Sequence, residues 1–194
     1  TTYLCTAETE GYAVSLIQSN AAGFGCWLAE PHTQINLHNR GLGFSLEPGH
    51  PAVFGPGRRP PHTLSPALAT RDSEFVSVFG TMGGDAQPQI LLQIAARLFQ
   101  HQQSPTEAIH AARWALAGPT SGFDTWDDMS QQQVLLEGHS PSTWRERLTA
   151  RGHRIRVQPE WDSTFGHAHA IVRGEHGLAG AADPRARVSA CLGR

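Results

Sequence analysis

A run of strand-forming residues, Glu74-Phe75-Val76-Ser77-Val78-Phe79, leads without a break into Gly80-Thr81-Met82-Gly83-Gly84. Apolar residues then recur at helical spacing at Ile90-Leu91, Ile94 and Leu98. A strand, a turn of small residues and a helix in immediate succession commit the middle of the chain to an α+β architecture, with the helix packed back on the sheet. The turn also has a chemical meaning. N–H groups at a helix N-terminus lack intrahelical partners, and consecutive glycines let an anionic oxygen approach closely. The same segment serves equally well as a plain strand-to-helix connection, so the turn alone assigns no function.

Elements on either side extend this reading. Thr2 to Thr6, the turn Glu8-Thr9-Glu10-Gly11 and Ala13 to Ile17 form a predicted hairpin. Ile35 to His38 reads as a short strand. Glu47 to Pro61, with Pro48, Pro51, Pro56, Pro60 and Pro61, reads as a surface loop. The helix after the glycines is expected from about Asp85 to Gln100. Ser104-Pro105-Thr106-Glu107 has the form of a capping box with proline at the first helical position, which predicts a second helix to about Trp114. A third is expected from Pro141 to Ala150. Strands around Val134 to Leu136, Ile155 to Val157 and Ala168 to Val172 close the reading. No internal repeat or linker interrupts it, and 194 residues at 39% hydrophobic content supply one core, so residues 1–194 are expected to form a single α+β domain, a sheet sandwich covered by helices.

Charge and residue choice exclude several chemistries. A net charge of −2, with basic clusters only at Arg58-Arg59 and between Arg151 and Arg156, argues against nucleic-acid binding. No apolar run reaches the roughly 18–20 residues of a spanning helix, so no membrane partner is expected. All 15 basic residues are arginine, which rules out Schiff-base lysines, Ser-Lys dyads and P-loop chemistry within the chain. Cys5, Cys26 and Cys191 are too few and too scattered for a disulfide framework, which favours a reducing, cytoplasmic setting over an oxidising one. Each cysteine is either a nucleophile or a small buried hydrophobe. Among 11 histidines, His167-x-His169 would set two imidazoles on one face of a strand. Zinc wants a third or fourth ligand nearby, and the sequence offers none at a recognisable spacing, so neither metal nor cofactor is expected. A histidine-based metal enzyme stays as an alternative.

Thr1 stands first with no methionine before it. A threonine there carries a hydroxyl and a free α-amine on adjacent carbons. The amine titrates near ~7.7–8.0 and can take the hydroxyl proton without a second residue as base. Removal of a leader for trafficking would expose the same residue.

Five landmarks in order resemble the small subunit of the γ-glutamyltransferase family within the N-terminal-nucleophile hydrolases. They are Thr1-Thr2, Asn39 after a short strand, Arg59-Pro60 with Leu64-Ser65-Pro66, Gly83-Gly84, and Asp183-Pro184-Arg185. The resemblance spans nearly the whole chain. It implies a precursor that cuts itself immediately before Thr1, leaving a large upstream subunit as partner in a heterodimer, with a dimer of such heterodimers open. It implies a four-layer αββα sandwich completed by that subunit, and a small-molecule amide as substrate. Thr1 would attack the amide carbonyl, Gly83 and Gly84 would hold the oxyanion, and Ser19 would support the nucleophile. A relative that keeps the fold as a non-catalytic binding module is the alternative.

Departures from the family pattern bear on the substrate. Members that bind a γ-glutamyl group carry Asn-Asn-Gln-Met-Asp-Asp-Phe where this chain has His38-Asn39-Arg40-Gly41-Leu42-Gly43-Phe44. The carboxylate that would pair with an ammonium is gone, and Arg40 replaces a neutral amide. A family Ser-Ser pair for the substrate carboxylate stands here as His62-Thr63. By this resemblance Asn39, Arg40, His62 and Thr63 are the substrate-binding candidates, and Thr1, Ser19, Gly83 and Gly84 the catalytic ones. The segment between Phe44 and Arg58 is shorter than in members with a lid, so none is expected. Trp27 either walls the pocket or packs in the core. The pattern is similar to the oxamate amidohydrolase-like branch, with the cephalosporin acylase-like branch also open.

Overall fold

The expected hairpin opens the chain: β1 (Thr2–Ala7) pairs antiparallel with β2 (Ala13–Gln18). The structure is a computed structural model, which describes residues 1–119, 125–126 and 128–193. Its described part holds three sheets. The hairpin is one. A four-stranded sheet has the order β3 (Ala67–Arg71), β4 (Glu74–Gly80), β8 (His169–Gly174), β9 (Gly177–Ala182). A three-stranded sheet has the order β5 (Trp114–Ala117), β6 (Gln133–Glu137), β7 (Ile155–Gln158).

Strand β4 is the axis of the arrangement. Successive side chains leave a strand on opposite faces. Phe79 joins Ile90, Leu91, Ile94 and Leu98 of the following helix in the main core, with Ala108, Ile109, Ala168, Ala170 and Ala181. On the other face the hairpin lies across the sheet, and the Tyr3 ring fills the space that a Cβ on Gly80 would need. Glycine there is a packing requirement. Burial pushes the Tyr3 phenol well above its ordinary pKa, while its hydroxyl hydrogen-bonds Ser15 Oγ at 3.0 Å.

Helix α1 (Ala86–Ala95) continues through a π-helical turn to Gln100, so the expected helix from Asp85 to Gln100 is present. It also seals the three-stranded sheet. Gln89 exchanges hydrogen bonds with the Leu116 backbone (Oε1 from N–H, 2.7 Å; Nε2 to C=O, 3.3 Å). Gln93 does the same with Trp114 (3.0 and 2.8 Å). Two glutamines one turn apart thus act as a substitute strand along the edge of β5, which would otherwise offer unpaired backbone groups.

That pairing explains one correction. The second helix, α2 (Pro105–His110), begins with the expected capping box on Ser104 and Glu107. It ends at His110 and does not run to Trp114. Residues 114–117 gain more as β5, paired on one side with β6 and on the other with the two glutamines. Ile35 to His38 also differs from expectation. Only an isolated bridge, Ala29 to Asn36, forms there, flanked by a few backbone hydrogen bonds, with Trp27 and Gln34 in left-handed backbone. The last helix, α3 (Ser142–Ala150), and the three closing strands lie where expected, though β6 and β7 pair parallel in a sheet separate from β8. Strands β3 and β9 form where the sequence pattern marks no strand. No helix among the described residues is long and apolar enough to cross a membrane.

Candidate active site

Hairpin register places Thr2 opposite Gln18, so Thr1 and Ser19 meet at the open end of the ladder. Thr1 Oγ1 lies 2.7 Å from Ser19 Oγ. Ser19 Oγ also accepts from Arg40 Nη2 at 3.0 Å and from the Ala21 backbone N–H at 3.0 Å. Three residues far apart in sequence are thereby joined by side-chain hydrogen bonds.

Arg40 begins a 3-10 turn, Arg40–Gly43, and lines a cleft of about 270 Å³ with Gly43, His62, Thr63, Asp85 and Trp126. His62 Nδ1 accepts the Leu64 N–H at 3.2 Å, so its proton sits on Nε2 and the ring remains a donor while neutral. Thr63 Oγ1 is buried with no hydrogen-bond partner among the described residues. Asp85, buried, accepts the Thr125 N–H at 3.2 Å. Asp85 and Trp126 were not singled out as site residues from sequence; only folding brings them beside Arg40.

Asn39 is expected on the substrate side, but the structure spends its amide on the backbone. Oδ1 accepts from Ala22 N–H at 2.9 Å, and Nδ2 donates to Ala22 and Gly25 carbonyls at 3.3 and 3.1 Å. Its two donors are consumed, so it braces the segment after Ser19 and stays outside the cleft lining. Trp27 neither walls the cleft nor enters the core: it is 80% exposed, with its ring against Phe24. The three cysteines are free, and burial raises the Cys5 thiol above its usual pKa.

Past Gly80 the backbone turns into α1 through Gly83 (φ 139°) and Gly84 (φ 57°), conformations that favour glycine. Their carbonyls accept the first helical N–H groups, from Ala86 and Gln87, while their own N–H groups have no acceptor among the described residues. A brace stands behind this turn. A Cβ on Gly166 would collide with the Thr81 hydroxyl, the Ile90 side chain and the Met82 carbonyl, so the 163–166 segment presses directly on it.

That segment hangs on a buried ion cluster. Arg113 Nη1 lies 2.7 Å from Asp183 Oδ2 and donates to the Phe165 carbonyl at 2.7 Å. Arg185 reaches Glu137 through Nε at 2.7 Å and Nη2 at 2.6 Å, and Asp183 through Nη1 at 3.0 Å. Asp183 Oδ2 also accepts the Ala168 N–H at 2.8 Å. Both guanidinium groups cap the open carbonyls at the end of α2: Ile109 receives one bond from each, and Ala111 one from Arg185. Two cations and two anions balance. Burial pulls Arg113 down to about 10, still charged at neutral pH. Burial alone would raise Asp183, but the charges of Arg113 and Arg185 with the Ala168 and Arg185 N–H bonds outweigh it and hold the carboxyl below its ordinary range. Arg113 and Glu137 carried no sequence signal.

His167 lies just before β8 and His169 at its first position, so the pair does not share a strand. Burial first, then neighbouring positive charges, lower His167; burial lowers His169. Among the described residues no group of three or more His, Cys, Asp or Glu could hold a metal.

An oxamate amidohydrolase proenzyme from Klebsiella pneumoniae is 38% identical over 191 residues, covering 98% of this chain and 35% of that protein. A cephalosporin acylase from Bacillus halodurans superposes with a TM-score of 0.82 at 36% identity, over 99% of this chain and 34% of that one. A gamma-glutamyltranspeptidase from Pseudomonas nitroreducens matches over the full length of both chains, with a TM-score of 0.80 at 22% identity, which bears on the fold alone. The chain spans about a third of the length of the Klebsiella relative and of a glutathione hydrolase-like proenzyme from Bacillus subtilis. Residues 1–192 match the gamma-glutamyltranspeptidase family model, and with that match and the Klebsiella relative the chain belongs to the gamma-glutamyltranspeptidase family.

Proposed function

We propose that this chain is the catalytic part of a larger precursor cut immediately before Thr1, and that it hydrolyses or transfers the acyl group of an amide through an ester on Thr1. The observation that carries this is the Thr1–Ser19–Arg40 hydrogen-bonded chain ending in the cleft. Relatives named as proenzymes, of which this chain covers a third, support the cut and a large subunit as partner. In that assembly residues 1–194 act as one domain whose layers the partner completes to a four-layer αββα sandwich.

In the reaction Thr1 Oγ1 bonds to the carbonyl carbon while its proton passes to the α-amine and from there to the departing amine as the C–N bond breaks. Water then attacks the ester, gives its proton to the α-amine, and Thr1 Oγ1 leaves as the hydroxyl. The Gly83 and Gly84 N–H groups hold the oxyanion in both steps. Gly84→Ala in the processed enzyme is expected to lower kcat by about 10²-fold or more with little change in KM, since a donor aimed at developing charge acts in the transition state. A change in KM alone would show that the turn only shapes the cleft.

Substrate choice follows from Arg40 and Gly43. An arginine offers a carboxylate two parallel donors, His62 Nε2 adds a neutral one, and glycine at 43 removes the anion that an α-ammonium needs. The reading is an amide whose acyl part carries a carboxylate and no free amine, the chemistry named for the Klebsiella relative. Competing oxamate with a γ-glutamyl anilide on one sample of full-length enzyme tests it. Oxamate is expected to win by about tenfold or more, one unpaired buried ammonium being worth ~1–3 kcal/mol. A tenfold preference for the γ-glutamyl compound would mean that the large subunit supplies the missing carboxylate.

A further inference from the structure

The hydrogen bonds around Ser19 fix a direction that the heavy-atom positions alone leave open. A serine hydroxyl has one proton to give and two acceptor positions. Arg40 Nη2–H and the Ala21 backbone N–H can only donate, and both point at Ser19 Oγ, each at 3.0 Å. They fill its acceptor capacity. The remaining contact, 2.7 Å to Thr1 Oγ1, must then carry the Ser19 proton.

We infer that Arg40 is a positioning residue for the nucleophile: by occupying an acceptor site on Ser19 it obliges Ser19 to donate to Thr1 Oγ1, which leaves the Thr1 proton to the α-amine. This rests on Thr1 being the nucleophile. Without the guanidinium, Ser19 accepts from Thr1 as readily as it donates, and in that arrangement the proton to be removed points away from its base. The cation also strengthens the Ser19 O–H as a donor, because linked hydrogen bonds polarise one another. That donor stays on Oγ1 as the ester collapses and negative charge builds on the leaving oxygen, until the α-amine returns its proton. A guanidinium has five N–H groups, so one bond to Ser19 leaves the face toward the cleft able to meet a substrate carboxylate. The two roles of Arg40 are therefore separable by experiment.

A reagent with no carboxylate isolates the positioning role. Full-length processed enzyme would be treated with phenylmethylsulfonyl fluoride, whose sulfonyl group forms a bond to Thr1 Oγ1 as fluoride leaves and the hydroxyl proton is lost. The rate is followed by intact mass and the site located by peptide mapping, for wild type, Arg40→Met, Ser19→Ala and the double variant. Arg40→Met is expected to slow modification of Thr1 by about tenfold or more, the scale of one charge-assisted hydrogen bond. It should add nothing further once Ser19 is alanine, and Arg40→Lys, which keeps a group that donates and cannot accept, should recover part of the rate. If Arg40→Met blocks the precursor's own cleavage, Arg40→Lys against wild type gives the same comparison at smaller amplitude. Equal rates in wild type and Arg40→Met, with only KM for oxamate raised, would overturn the inference and leave Arg40 as a substrate contact. Equal losses from Arg40→Met with and without Ser19 would overturn it as well. Wild-type protein modified elsewhere than at Thr1 would overturn the nucleophile assignment itself, an outcome distinct from both.

Discussion

Thr1→Ala in the full-length precursor is expected to give one uncut chain with no amide hydrolysis. One hydroxyl serves both reactions on the proposed reading: it attacks the preceding peptide carbonyl to release itself, then the substrate. Ser19 is the nearest other hydroxyl, 2.7 Å away, yet it has no amine on the adjacent carbon, and its oxygen is already bonded to Arg40 and Ala21. It cannot take over. Loss of a nucleophile from a working constellation costs about 10⁴-fold or more in kcat, so the residual rate should fall below detection in an ammonia-release assay. Gel analysis of the purified product reads the cut independently. Thr1→Ser keeps the hydroxyl and should retain part of both activities. A Thr1→Ala protein that is still cut into two chains and still turns over would sink the assignment.

The second large effect is on stability. Asp183→Ala is expected to cost about 3–5 kcal/mol in urea denaturation of the full-length protein, because it leaves Arg113 and Arg185 buried against a single remaining carboxylate, Glu137. The Ala168 N–H also loses its acceptor. Replacing a whole buried pair with apolar residues of similar volume is often nearly neutral, so Arg113→Met with Asp183→Leu should recover much of the loss. A double variant no better than the single one would show that the backbone bonds to Phe165, Ile109 and Ala168 outweigh the charges. The pH dependence has a fixed sign. The Asp183 pKa is depressed in the fold, so its stabilisation is complete above its unfolded value near ~3.9 and disappears as the pH falls through the lower folded one.

How far the sequence could be read is clearest where it failed. The capping box at Ser104 started its helix as expected because the signal is local. The end of that helix was decided by partners distant in sequence, Leu135 and Leu136 of β6 and the glutamines of α1, which recruit residues 114–117 into a sheet. Strand β9, Gly177–Ala182, is built from Gly, Ala and one Leu, with no β-branched or aromatic residue to mark it; its pairing with β8 supplies the order. Thr1, Ser19 and Arg40, which the family resemblance marks, do meet through hydrogen bonds, but where the Asn39 amide bonds depends on which backbone atoms come within its reach. Arg113 and Glu137 looked like ordinary charged residues. Nothing in their flanking sequence shows that Asp183 and Arg185 will meet them.

The brace behind the glycine turn has a consequence for timing. Thr1 and its hairpin are made well before Asp183 and Arg185, the anchors of the segment that holds Gly166 against Thr81 and Met82. At about 5–20 residues per second a ribosome needs roughly ten seconds or more to reach them after Thr1. Until then the glycine turn lacks its support, so on the proposed reading a nascent precursor that already has its nucleophile has no competent place to use it. Self-cleavage on the proposed reading is thus coupled to completion of the protein, and a message truncated before Asp183 would yield an uncut, silent chain instead of a loose hydrolase.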